Sequence, residues 1–186
     1  FLRGYAVGFG AGRGFNPDTA AVGEDLKNNL LHPPLGEWNI SGWMMGEVIP
    51  RENNHVRLHE SLKDPNGMPQ LVISTEWSEN EDKMSADFIE QLSEMFTEAG
   101  FKDVYAHDSH ANPGNDIHEM GGVRMGNDPK NSMLNKWNQL HACKNVFVTD
   151  GACMTSGSTQ NPSLTYMAIT ARAANYAVEE MKKRNL

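Results

Sequence analysis

Apolar residues recur at helical spacing most clearly over one stretch of the chain. Met84, Phe88, Leu92, Met95 and Phe96 follow one another at intervals of four, four, three and one, which sets them on one face of a helix. Ser78 and Glu81 stand three apart just ahead of that run, the capping-box spacing in which each side chain satisfies the other's orphan amide. Gly100 follows as a left-handed stop. The pattern predicts a helix over 79–99 with its Met and Phe residues in the core. A second helix is predicted from Asn161-Pro162, because Asn caps well and Pro suits the first helical position. Leu164, Met167, Ala168, Ala171, Ala174 and Val178 mark its expected buried face.

Shorter periods predict strands. Residues 43–49 form one apolar run stopped by Pro50, and residues 55–59 alternate polar and apolar as a half-buried strand does. Asp64-Pro65-Asn66-Gly67 is a turn signal, and residues 71–77 read as the strand after it. Residues 145–149 read as a short buried strand ending at Asp150-Gly151. The fold class is α+β: a mostly antiparallel sheet backed by helices, then a C-terminal strand and helix.

Glycines alternate at 8, 10, 12 and 14. A dinucleotide fingerprint needs them at i, i+2 and i+5 between a strand and a helix. The third position falls on Arg13 or Phe15 and no helical period follows, so the expectation is a strand over 5–9 running into an irregular loop. Residues 106–142 are polar and loop-like and carry four histidines. No internal repeat or low-complexity tract interrupts the chain.

Composition narrows the function classes. With 186 residues the chain is long enough for a real core. Sixteen Lys and Arg against 24 Asp and Glu leave a net charge of −8, which argues against nucleic acid as a main partner, since phosphate binding needs clustered bases. The one basic cluster, Lys182-Lys183-Arg184, suits a helix C-terminus. No apolar run approaches a membrane span. Cys143 and Cys153 are too few for a disulfide scaffold or a Cys-rich zinc site. The opening FLRGYAVGFG starts at Phe1 and carries neither the charged n-region nor the long apolar h-region expected of a signal peptide. The expectation is a piece of something longer, whose localisation is unknown.

Three constellations compete for the chemistry. His107, His110, Asp116 and His118 have side chains that bind zinc, but Asn-Pro-Gly-Asn interrupts them and no HExxH or Cys pair supports them. Ser156 and Ser158 follow a predicted strand, yet the nucleophile elbow Gly-x-Ser-x-Gly is absent. The third is the run from His118 to Gly126 (HEMGGVRMG) with Asn161-Pro162 35 residues beyond it. An imidazole can take a hydroxyl proton near neutral pH. Asn161 offers a donor and an acceptor, and a helix opening at Pro162 favours an anion. Together they suit hydride removal from an alcohol carbon. Equally, His118 ties down a glycine loop and Asn161 only caps a helix; spacing does not separate the two readings.

Residues 118–126, Asp128-Pro129, residues 145–151 (NVFVTDG) and residues 160–165 (QNPSLT) resemble the C-terminal end of glucose–methanol–choline (GMC) flavin oxidoreductases. Four motifs in this order over about a third of the chain are far more specific than any one of them. Gly46-Glu47-Val48-Ile49-Pro50 and the Trp77-Ser78-x-Asn80-Glu81 stretch resemble the substrate-binding half of that family. Among its subgroups the sugar-oxidising members, pyranose oxidases and glucoside dehydrogenases, look closest.

The resemblance implies a fold and roles. Residues 1–117 would belong to the substrate-binding part, and residues 118–186 would carry the active-site pair and return to an FAD domain. His118 would be the base, Asn161 would orient the same hydroxyl, and the hydride would pass to FAD. Asp150 and Gly151 would lie by the ribityl and pyrophosphate, and Asn161, Pro162 and Ser163 by the pyrimidine end of the ring. No metal is implied. The N-terminal βαβ unit with Gly-x-Gly-x-x-Gly is absent, so FAD would be held largely by that missing portion and the piece alone is expected to be inactive. The partners implied are a sugar or alcohol substrate, that N-terminal portion and an electron-acceptor protein. The competing expectation is a non-catalytic carbohydrate-binding or interaction module, with Trp38, Trp43, Trp77 and Trp137 stacking on sugar rings.

Overall fold

A computed structural model describes residues 1–115 and 117–186. Four strands and three helices follow in the order β1 (Tyr5–Phe15), α1 (Gly23–Leu31), β2 (Leu35–Gly46), β3 (His55–Lys63), β4 (Pro69–Ser74), α2 (Glu79–Glu98) and α3 (Ser163–Lys182). The α+β class holds. The sheets are two separate two-stranded ribbons, β1–β2 and β3–β4. By contacts the chain divides into residues 7–45 and a larger unit of residues 1–6 with 46–186.

Residues 7–45 hold the β1–β2 ribbon and α1. The expected glycine loop is strand here, and β1 runs on to Phe15. Alternate glycines share one pleat face, and Gly8 opposite Trp43 and Gly10 opposite Ser41 give an antiparallel register. A Cβ on Gly8 would lie 2.4 Å from the Trp43 indole, so the glycine makes room for the ring. α1 is a helix the period did not announce. Glu24 and Asp25 in its first turn complement its dipole, and it buries no residue.

In the larger unit, β3 and β4 pair antiparallel with Val56 opposite Ile73 and Leu58 opposite Leu71, and the register shifts before Lys63 meets Pro69. The Asp64 turn forms as its residues require. Its carboxylate accepts from the amides of Asn66 and Met68, both at 2.9 Å, and Gly67 takes a φ of +83°. β4 starts and ends earlier than the predicted 71–77.

α2 matches its predicted span, with the Ser78–Glu81 capping box in place and Gly100 at φ +86°. Met84 and Leu92 are buried as expected, whereas Met95 is 47% exposed. Residues 1–6 dock on this helix. Tyr5 Oη donates to Asp87 Oδ2 at 2.7 Å and the Tyr5 ring meets Phe88 edge-on at 5.7 Å. Glu81 also accepts from Ile49 N at 3.4 Å. Burial raises the pKa of its carboxyl, but the bonds from Ser78, Ile49 and Asn80 outweigh it and hold the group below 4.5.

Two expectations near the C-terminus are corrected. Residues 145–149 form no strand and none of them is buried: Asn145 lies in a turn, and Phe147 makes a single bridge to Gln139. Asn138 at φ +63° bends the opposing chain, and its side chain, with Nδ2 donating to Val148 O at 3.1 Å, takes the place of a ladder bond. In α3 the N-cap is Pro162, one residue later than expected. Its expected buried face points outward: Leu164 is 78% and Met167 68% exposed. The face that packs is set by aromatic anchors. Tyr176 stacks on Trp137 at 4.7 Å, almost parallel, and Thr170 Oγ1 bonds Thr149 Oγ1 at 2.9 Å. Ala173 is the buried residue between them.

Candidate functional site

The candidate site is made of loops that pair where no regular strand forms. Residues 121–125 run beside residues 151–153, with Gly121 N donating to Gly151 O (3.3 Å), Val123 N to Ala152 O (2.9 Å) and Met125 N to Cys153 O (2.9 Å). A single 3-10 turn at Gly151–Cys153 follows Asp150, whose Oδ1 accepts from Ala152 N at 3.0 Å. Gly151 is where three segments cross. A Cβ there would lie 2.7 Å from Tyr166 Oη and 2.8 Å from Glu119 O. Only a residue without a side chain fits between a backbone carbonyl and a phenol that close.

These contacts bring Glu119, the neighbour of His118, and Tyr166, near the start of α3, together at Gly151. His118 precedes Glu119, which lies against Gly151, and Asn161 precedes Pro162, whose carbonyl accepts from Tyr166 N at 3.0 Å. His118 is half-buried and Asn161 exposed. Among the described residues neither side chain makes a hydrogen bond, with the other or with anything else. Ser163 is exposed at the first position of α3, which has no side-chain cap, leaving its first amides as unpaired donors. Burial, and then the negative field of Asp150, Cys153 and Glu119, hold the Tyr166 phenol above its ordinary pKa.

Behind the loops lies a polar core that no sequence period marks. Asn138 is fully buried and its Oδ1 accepts from Arg172 at 2.8 Å. Cys153 is fully buried beside it, and burial pushes the thiol up, partly offset by a bond from Asn138. Such a core needs every polar atom paired, and the partners of Asn138 come from 10 to 34 residues away, in the loops and in α3. Tyr166 was also unreadable, since an aromatic at that helical position has no local signature.

The rival constellations fare differently. Asp108 binds Ser85 Oγ at 2.6 Å and His110 N at 2.7 Å, and His107 stacks on Tyr105. Among the described residues no three His, Cys, Asp or Glu gather as metal ligands; Asp116 lies outside them. Ser156 Oγ donates to Glu47 at 2.9 Å, and Ser158 Oγ accepts from Gln160 N, so neither sits against an imidazole. A Ser–His pair does exist at Ser132 and His141, 3.2 Å apart. Ser132 spends its proton on Asp128 O at 2.7 Å, so the imidazole donates to it and does not activate it. Of the tryptophans, Trp77 donates to Ala111 O at 2.8 Å and Trp137 stacks on Tyr176. Trp43 covers Gly8, and Trp38 is 65% exposed.

Comparison with known proteins adds an independent line. Residues 50–170 match the family model of the GMC oxidoreductases. The chain is 32% identical over 186 residues to a 2-methyl-1,2-propanediol dehydrogenase of Mycolicibacterium austroafricanum, covering 94% of this chain and 33% of that one. It is 31% identical over 137 residues to a fructose dehydrogenase large subunit of Gluconobacter japonicus, covering 74% of this chain and 25% of that one. Against a gluconate 2-dehydrogenase flavoprotein of Pantoea cypripedii it is 29% identical over 179 residues, covering 83% and 29%. The chain spans between a quarter and a third of the length of these curated relatives.

Proposed function

This chain belongs to the GMC oxidoreductase family, and on that premise we propose that it is the part of a flavin enzyme that takes the proton from a sugar or alcohol hydroxyl. The observation that carries the reading is the convergence at Gly151 of the segment after His118 and the start of α3, with the His118 and Asn161 side chains unbonded among the described residues. Family membership implies a flavin, and we assign it as FAD. The donor set suits it: the unpaired first amides of α3, around Pro162 and Ser163, favour the negative charge a reduced ring carries. Asp150 and Gly151 would lie toward the ribityl and pyrophosphate.

His118 would accept the hydroxyl proton, and Asn161 would hold the same oxygen and so fix the orientation of the carbinol carbon. The bound flavin supplies the hydride acceptor. Residues 118–186 carry this chemistry and residues 1–117 shape the substrate side. The outward apolar stripe of α3, with Leu164, Met167, Val178 and Met181 all at least 49% exposed, is a face for the further portion of the enzyme that holds most of the FAD. The sugar-dehydrogenase and glycol-dehydrogenase names of the relatives support a polyol or sugar substrate. An electron-acceptor protein would reoxidise the enzyme.

In the full-length enzyme, His118→Ala and Asn161→Ala are each expected to slow flavin reduction by the alcohol by roughly 100-fold or more. The bound-flavin absorption spectrum should stay in place. Reduction rates equal to wild type in both variants overturn the assignment.

A further inference from the structure

Residues 154–161 form a strap between the Gly151–Cys153 turn and α3, and Asn161 is its last residue. The strap has no regular structure to fix it. Met154 N bonds Gly151 O at 3.1 Å, and Ser158 bonds only within the strap, to Gln160 N at 3.2 Å. Among the described residues, Ser156 alone sends a side-chain bond out of residues 155–161. Its Oγ donates to Glu47 Oε1 at 2.9 Å, across 109 residues of sequence.

Glu47 is built to receive it. Its side chain is only 17% exposed, Arg3 Nη1 lies 3.7 Å from the same oxygen, and its amide bonds Gly4 O at 3.1 Å. A carboxylate so covered needs partners, and a charged acceptor makes the stronger kind of hydrogen bond. On its other side the strap meets the His118 segment. A Cβ on Gly157 would lie 3.3 Å from Met120 Cε, and a Cβ on Gly121 would lie 3.5 Å from the carbonyls of Met154 and Thr155. Met120 is two residues from His118, and Ser156 is five from Asn161.

We propose that Glu47 and Ser156 are positioning residues: their bond latches the strap against the His118 segment and thereby sets Asn161 relative to His118. The proposal rests on the proton-and-hydride reading above. It adds that a residue from the β2 end of the chain fixes the active-site pair, because a misplacement of about 1 Å in such a pair costs on the order of 100-fold in rate.

Two readouts test it. In the chain itself, hydrogen exchange of amides 155–160 should quicken about tenfold in Ser156→Ala and in Glu47→Ala. The double variant should exchange no faster than either single one, since one bond is lost in each. Ser156→Thr keeps the hydroxyl and should restore protection. In the full-length holoenzyme, Ser156→Ala should lower the limiting rate of flavin reduction about tenfold with KM changed less than about threefold, the mark of lost orientation. Unchanged exchange, or additive effects, overturns the latch. Quickened exchange with an unchanged reduction rate overturns the positioning role. If His118→Ala and Asn161→Ala also reduce flavin at the wild-type rate, the functional reading fails on its own and the positioning role falls with it, while the exchange result still decides the latch.

Discussion

The β1–β2 ribbon and the loops of residues 118–162 invert the usual link between regular structure and burial. The ribbon and α1 contain two long strands and a helix, yet no residue between 7 and 45 is buried. The loops contain no named strand, yet Leu134, Asn138 and Cys153 there are fully buried. A ribbon of two strands satisfies its backbone locally and is one layer, so by itself it encloses no core. The loops pair backbone to backbone over long separations and fill the remaining demand with side chains, as Asn135 does for the amides of Trp137 and Gln139 at 2.8 and 3.3 Å. Among the described residues, the buried positions therefore lie outside the ribbon, in these loops and in α2 and α3.

The sharpest test compares one apolar truncation in each region. Leu134→Ala, at a fully buried position, is expected to cost about 2–5 kcal/mol in urea denaturation. Phe15→Ala, at a position 70% exposed in the ribbon, should stay within about 0.5 kcal/mol. Similar losses at both sites would erase the contrast.

A matched pair of glycines sharpens it further. Gly151→Ala places a methyl against the Glu119 carbonyl and should cost about 1–3 kcal/mol by overpacking. Gly8→Ala meets the far end of the Trp43 side chain, which can swing away, so its cost should fall below that of Gly151→Ala. The indole emission of Trp43 should shift even as the melting temperature holds.

The smallest effect is one of pH. Glu81 has a folded pKa below its ordinary 4.5. Its contribution is therefore fully present above the unfolded value and is lost as pH falls through the folded one. Glu81→Gln should therefore lower stability at neutral pH by less than about 1 kcal/mol, converge with wild type in acid, and so flatten the acid limb of the stability curve. An acid limb identical to wild type would show that the capping box contributes through shape alone.

Local signals were legible where local energy decides the outcome. The α2 helix, its capping box and its Gly100 stop follow from residues within four positions of one another, as does the Asp64-Gly67 turn. Alternating glycines misled because they lack side chains to announce a face: only Trp43, some 30 residues on, shows that β1 continues. The outward turn of α3 was missed for a related reason. Aliphatic spacing named one stripe, but Tyr166 and Tyr176, each held by a distant partner, chose another.

The sequence by itself determined the helix and turn positions, the acidic surface and the motifs that place the chain among GMC oxidoreductases. Only the tertiary structure decided that the segment after His118, the Gly151 turn and the start of α3 meet, and that Glu47 reaches Ser156. The physical reason is range. Capping and turn bonds close over a few residues and leave a local pattern, whereas a bond across 109 residues depends on everything folded between its ends.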